Sequence, residues 1–223
     1  MKKHKVKILE TFPVTHDVKC FRTEKPSGYD FSPGQATEVF LDHPDWNEEG
    51  RPFTFTNLPD EEYLEFIIKA YPEHDGVTKQ IHRLDAGDHF LVSEVFGAIN
   101  YQGEGLFIAG GAGITPFISI FRMIATEGDF GSTRLIFGNK TQADIILHDE
   151  LKEMLGDDLT NVLSDESADG FRSGFITREM IVDHLKKSHS KVYLCGPPKM
   201  MEQVMGHLEE LEVSEDSIVK EEM

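Results

Sequence analysis

The chain has 223 residues, 39% of them hydrophobic and 28% charged, which supplies apolar side chains for one large or two modest globular cores and excludes a fibre, a disulfide scaffold or a disordered tail. Its 22 Lys and Arg stand against 40 Asp and Glu, a formal charge of −18 that repels phosphate backbones and anionic lipid headgroups, so neither nucleic acid nor a membrane is expected as partner. The two cysteines, Cys20 and Cys195, cannot supply the four ligands of an iron–sulfur cluster or a structural zinc, and redox chemistry would have to come from an organic cofactor.

The basic start Met1-Lys2-Lys3-His4-Lys5 leads into alternating Val6 and Ile8 rather than an apolar run, and no stretch is apolar for long enough to span a bilayer. A cytoplasmic protein with reduced thiols is expected. Short strands are predicted at residues 6–9, 18–21, 37–41, 53–56, 63–68 and 89–92, each bounded by Pro, Gly, Asp or Asn, with one helix at 77–84 between the fifth and sixth. Six such strands predict an antiparallel β-barrel. After Gly97 apolar strands alternate with helices, as in a parallel α/β sheet. Strands are predicted at 106–109, 134–137, 161–163, 191–195 and 217–219, and helices at 115 to about 125, up to about 155, at 178–187 and at 197–211. The expected division is a barrel over residues 1–99 and an α/β nucleotide-binding domain over 100–223, with 100–104 as linker.

Three segments carry chemistry. Ala109-Gly110-Gly111-Ala112-Gly113-Ile114-Thr115-Pro116 joins an apolar strand to an amphipathic helix. Its glycines let the backbone turn sharply, Pro116 suits the first helical turn, and the helix start offers backbone donors and a positive dipole end to a phosphate. It reads Gly-x-Gly-x-x-Pro, so it departs from the common dinucleotide fingerprint, which has a third Gly there. Arg51-Pro52-Phe53-Thr54 combines a guanidinium able to pair with a pyrophosphate, a ring able to stack on a flat heterocycle, and a hydroxyl able to bond a ring nitrogen. Cys195-Gly196-Pro197 lies where a strand gives way to a helix, at the sheet edge where open α/β sheets bind ligands. On residues alone, the glycine turn can be a mere connection and Cys195 a buried structural cysteine, while Arg51 to Thr54 reads better as an ordinary strand with an exposed Arg and core-facing aromatics. The histidines show no metal-ligand spacing.

In order along the chain, Pro33-Gly34-Gln35, Arg51-Pro52-Phe53-Thr54, the Gly111 to Pro116 turn and Cys195-Gly196-Pro197 resemble the ferredoxin–NADP reductase superfamily over essentially the whole sequence. The resemblance implies an oxidoreductase with FAD in the barrel and a pyridine nucleotide, NADH or NADPH, in the second domain. In it Arg51 would contact the flavin phosphate, Phe53 would stack on the isoalloxazine in the usual tyrosine's place, and Thr54 would hydrogen-bond near flavin N5. Gly76-Val77-Thr78 would form a second phosphate loop, while Gly111, Gly113, Thr115 and Pro116 would cradle the dinucleotide. Cys195, followed by Gly196 and Pro197, would pack near nicotinamide C4, so the catalytic roles fall on Thr54 and Cys195. Direct hydride transfer needs C4 within about 3–3.5 Å of N5 and no general base from the protein. Met223 stands where many relatives place an aromatic residue over the flavin.

Nucleotide choice is read from the segments after the second and third strands of the sheet. Lys140 and Thr141 suit a 2′-phosphate, whereas Asp165 and Glu166 repel one, and Asp165 can accept from a ribose hydroxyl, so NADH is slightly favoured. The resemblance implies a separate acceptor such as flavodoxin, ferredoxin, a cytochrome or an oxygenase component. A non-catalytic electron-transfer subunit and a nucleotide sensor with an empty barrel are the alternatives. Lys2, Lys3, Lys5, Lys7 and Lys19 offer a basic docking patch in the barrel half.

Overall fold

The computed structural model describes residues 2–71, 76–185 and 191–221. The chain forms two compact units. Unit 1 is Met1–Asn100 together with Thr115–Arg122, and unit 2 is Tyr101–Ile114 together with Met123–Met223.

Unit 1 is built on β1 (His4–Pro13), β2 (Val18–Glu24), β3 (Ala36–Leu41), β4 (Arg51–Thr54), β5 (Tyr63–Lys69) and β6 (His89–Phe96), with helix α1 (Val77–Ile81) between the last two. All pairings are antiparallel, in the order β4-β3-β6-β1-β2-β5. The two edges meet just past β4, where the Thr56 N–H donates to the Glu65 carbonyl of β5 at 3.0 Å, and the sheet closes into the expected barrel. Period-2 alternation decides what fills it. Leu64, Phe66 and Ile68 of β5 point inward with Val6, Ile8, Phe21, Phe90 and Val92, all at most 1% exposed. Burying each such side chain contributes about 1.5–3 kcal/mol. Phe55 sits among them, stacked on Phe31 with centroids 4.2 Å apart. Helix α1 is shorter than predicted, because after Ile81 the backbone tightens to i→i+3 bonds, Arg83 N–H to Gln80 and Leu84 N–H to Ile81, both at 3.0 Å.

The unit also takes in the first two turns of α2 (Thr115–Glu127). Ser119 there accepts a hydrogen bond from the Gly34 N–H at 3.0 Å.

Unit 2 carries β7 (Gly105–Gly110), β8 (Arg134–Asn139), α3 (His148–Leu155), β9 (Leu159–Leu163), β10 (Arg172–Ser173), α4 (Arg178–Leu185), β11 (Lys191–Cys195), α5 (Pro198–Glu210) and β12 (Ile218–Lys220). The sheet is parallel, ordered β10-β9-β8-β7-β11-β12. Leu106, Ile108, Ile136, Val162, Val192 and Leu194 share one face and pack on Ile181 of α4 and on Met201, Val204 and Leu208 of α5. From β7 the chain builds outward through β8, β9 and β10, then returns to the other side of β7 as β11. That reversal makes the carboxyl ends of β7 and β11 the topological switch point, where open α/β sheets bind ligands. Strand β10 was not predicted, since two exposed polar residues carry no apolar period. The expected continuation of the α4 helix to residue 187 lies outside the described residues.

Candidate functional site

At the switch point the expected glycine turn and the Cys-Gly-Pro turn lie against each other. Strand β7 ends at Gly110, Gly111–Ile114 make one 3₁₀ turn, and α2 starts at Thr115 with Pro116 in its first turn and no side-chain cap from Ile114. A Cβ at Gly113 would meet the Cys195 carbonyl and stand 2.6 Å from the Gly196 nitrogen; one at Gly110 would strike Met200 and Pro197. These two glycines therefore serve the seating of one turn on the other. Gly111 differs, since its φ of 51° needs glycine and nothing lies within 4 Å of where a Cβ would stand, so its backbone faces open space.

Cys195 ends β11, paired with Ala109 of β7, and is half-buried. Burial pushes its thiol up to about 12, so it is a neutral, polarizable group and no nucleophile. Gly196 and exposed Pro197 follow, with Pro197 as the N-cap of α5.

At the carboxyl end of β9 Asp165 is exposed, accepting from the Ser164 hydroxyl at 2.7 Å, and its backbone N–H bonds the Lys140 carbonyl at 2.9 Å. Glu166 accepts the Gln142 N–H at 2.7 Å. The Thr141 hydroxyl is committed to Asp144 at 2.6 Å inside a capping box, which takes it out of the expected pair with Lys140. Two neighbours escaped the sequence reading. Arg172 of β10 pairs in register with Val162 and is exposed, and Phe175 holds a ring 68% exposed just beyond, where the Gly174 N–H bonds the Leu163 carbonyl. A single aromatic residue after a polar stretch carries no periodic signal, and its exposure shows only in the structure.

In unit 1, Arg51 to Thr54 form β4, an edge strand paired only with β3. Arg51 is 47% exposed with Glu49 at 3.8 Å, and Pro52 is exposed. Phe53 is half-buried and packed on the barrel core, which fixes its ring. Thr54 is 8% exposed, and its hydroxyl makes no hydrogen bond among the described residues. Gly76 is the N-cap of α1 without a side-chain cap; Val77 is wholly in the core, so only its backbone can meet a ligand, and Thr78 is half-buried. Met223 lies outside the described residues. The expected basic patch is largely neutralised: Lys3 pairs with Glu48 at 3.6 Å, Lys5 with Asp42 at 2.8 Å and Lys19 with Asp85 at 3.0 Å.

One unit is an antiparallel barrel with an Arg-Pro-Phe-Thr edge strand and the other a parallel sheet with a glycine turn and a Cys-Gly-Pro turn at its switch point, the two-domain fold of the ferredoxin–NADP reductase class. The family profile described as "Oxidoreductase NAD-binding domain" matches residues 107–205. The chain is 30% identical over 210 residues to NADH-cytochrome b5 reductase 1 of Pyricularia oryzae, covering 84% of this chain and 68% of that protein. It is 28% identical over 231 residues to the reductase component of propane 2-monooxygenase from Mycolicibacterium goodii, covering 96% and 66%. A ferredoxin NADP⁺ reductase from Neisseria gonorrhoeae solved with FAD and NADP shares the fold, with a TM-score of 0.82, 19% identity and coverage of 99% of this chain and 98% of that one. The chain belongs to the ferredoxin–NADP reductase superfamily. It spans about two thirds of the length of these two curated relatives.

Proposed function

We propose that the chain takes reducing equivalents from NADH through FAD and passes them, singly or in pairs, to a separate acceptor. The observation that carries this reading is the glycine turn running straight into α2 at the switch point, with Gly111 open and the Cys195 turn seated against it. An open glycine backbone at the turn into α2 fits the pyrophosphate of a dinucleotide, and a neutral thiol on the turn packed against it fits an uncharged nicotinamide. Thr115 and Pro116 begin the helix that follows this turn. Asp165, already oriented by Ser164, accepts from ribose hydroxyls and repels a 2′-phosphate; the exposed Phe175 ring suits stacking on the adenine.

In unit 1 the donor set fits FAD. The exposed Arg51 guanidinium and the backbone of Gly76-Val77-Thr78 would hold its phosphates, the fixed ring of Phe53 would carry the isoalloxazine, and the uncommitted Thr54 hydroxyl would donate toward N5. The flavin supplies the redox chemistry, accepting a hydride and releasing electrons one or two at a time. The residues of the chain bind and orient, and none is required to move a proton. The relatives' names, a monooxygenase reductase component and a cytochrome b5 reductase, support an acceptor of oxygenase-component or cytochrome type, with ferredoxin or flavodoxin as further members of that class. Two unpaired cysteines suit the cytoplasm.

Initial rates with each nucleotide test the assignment. NADH should be preferred, and Asp165→Ser should narrow the preference by roughly tenfold, about 1.4 kcal/mol of discrimination. A wild-type preference for NADPH would contradict it.

A further inference from the structure

The first turn of α5 holds a thioether that the proposed chemistry does not use. A long side chain on a helix leans toward the helix N-terminus, so Met200, the third residue of α5, reaches back over the Cys195-Gly196-Pro197 turn that precedes it. There it lies against two backbones. A Cβ at Gly110, the last residue of β7, would stand 2.4 Å from Met200 Sδ, and one at Gly196 would stand 2.5 Å from Met200 Cε. Neither glycine has a positive φ, so close packing and not backbone conformation asks for glycine at both. The two turns also approach each other directly, since a Cβ at Gly196 would lie 3.1 Å from the Gly110 nitrogen. Met200 is half-buried and packs against the sheet core of the α4 and α5 face.

We propose that Met200 is a positioning residue for the pyridine nucleotide: its thioether is the spacer between the glycine turn and the Cys195 turn, and it sets where the open Gly111 backbone and the Cys195 thiol stand. The inference rests on the nucleotide site proposed above. All of these residues belong to unit 2. Gly111 directly follows Gly110 and Cys195 directly precedes Gly196, so each residue proposed to face the nucleotide is one peptide from a glycine that Met200 touches. The turns already meet where Gly113 backs onto the Cys195 carbonyl, and Met200 supplies a second contact that fixes the angle between them. Removing the thioether leaves a void that its surroundings fill only in part, and the turns lose that second contact. A binding site whose supporting side chains let it shift by about 1 Å loses its preorganisation. Met201 serves as internal control, since it is the next residue of the same helix and lies 4% exposed in the core, with no glycine of either turn against it.

The test uses the full chain loaded with FAD, titrated with ADP-ribose by calorimetry at a temperature where thermal melts show every variant folded. Met200→Ala should raise the ADP-ribose Kd by roughly tenfold. Met200→Val, which also lacks the thioether, should do the same and carries the test if Met200→Ala does not fold. Met200→Leu restores the lost volume and should recover most of the affinity. Met201→Ala should lower the melting temperature with the ADP-ribose Kd unchanged. An unchanged Kd in Met200→Ala and Met200→Val, an equal rise in Met201→Ala, or a Met200→Leu protein that binds as weakly as Met200→Ala would overturn the proposal. Failure of the wild-type protein to bind ADP-ribose would instead overturn the nucleotide site itself.

Discussion

Glu65 keeps a negative charge with its side chain almost sealed from water, and two guanidiniums make that tolerable. Because its folded-state pKa is depressed, the stability it contributes is complete above the unfolded value, about 4.3, and is lost as pH falls through the lower folded value. Glu65→Gln should cost about 3–5 kcal/mol at neutral pH, the usual penalty for removing one partner of a buried pair. That difference should shrink in acid, where wild type loses the same interaction; urea midpoints measured from pH 7 down to about 3 read it directly. A constant difference across that range would place the charge elsewhere. None of this was visible in the residues, since Leu64-Glu65-Phe66-Ile67-Ile68 reads as a strand with one polar position facing solvent, and the two guanidiniums that meet it come from Arg22, 43 places earlier, and Arg122, 57 places on. The place of Asp165 just past a strand end was legible because it follows directly from the apolar run that ends at Leu163.

Between elements, the packing of the glycine turn on the Cys195 turn sets how each glycine responds to change. A methyl at Gly113 would sit inside the Cys195 carbonyl, and backbone cannot yield as a flexible side chain does. Gly113→Ala should therefore destabilise unit 2 by about 1–3 kcal/mol and weaken nucleotide binding, because the turn must shift. Gly111→Ala meets no neighbour and should cost only the left-handed backbone penalty, about 1–2 kcal/mol. Chemical denaturation and ADP-ribose titration of the two variants check this; a larger loss of binding in Gly111→Ala would mean that its open face matters more than the packing of the turns. At this scale the sequence was most informative. Strand β11 coincides with its predicted span, and β2, β3, β5, β7 and β8 each extend only a few residues beyond theirs, because each is an apolar run closed by Gly, Pro, Asp or Asn. What it lacked were features without a periodic signal: the two-residue β10, the early end of α1 where i→i+3 bonds take over, and the solvent-facing Phe175.

For the molecule as a whole the charge is unevenly shared. Unit 1 carries 12 Lys and Arg against 18 Asp and Glu, a net −6, while unit 2 carries 10 against 22, a net −12. A unit of that charge binds an anionic dinucleotide against its own field, and it can do so because the field is screened over about 8 Å at physiological salt whereas backbone donors act at contact. With a net charge of −18 an anion has to be held by local donors, and under the proposed function these are the open Gly111 backbone and the Arg51 guanidinium. Among the described residues no helix is long and apolar enough to cross a membrane. The central claim is that one chain holds both FAD and NADH and moves reducing equivalents between them. Its most direct test is to load the purified protein with FAD under anaerobic conditions, add one equivalent of NADH and follow the flavin absorption. The account predicts that the yellow colour bleaches within the mixing time of a hand-operated cuvette and returns when an acceptor is admitted. A flavin that binds but stays yellow with NADH and with NADPH alike would contradict it.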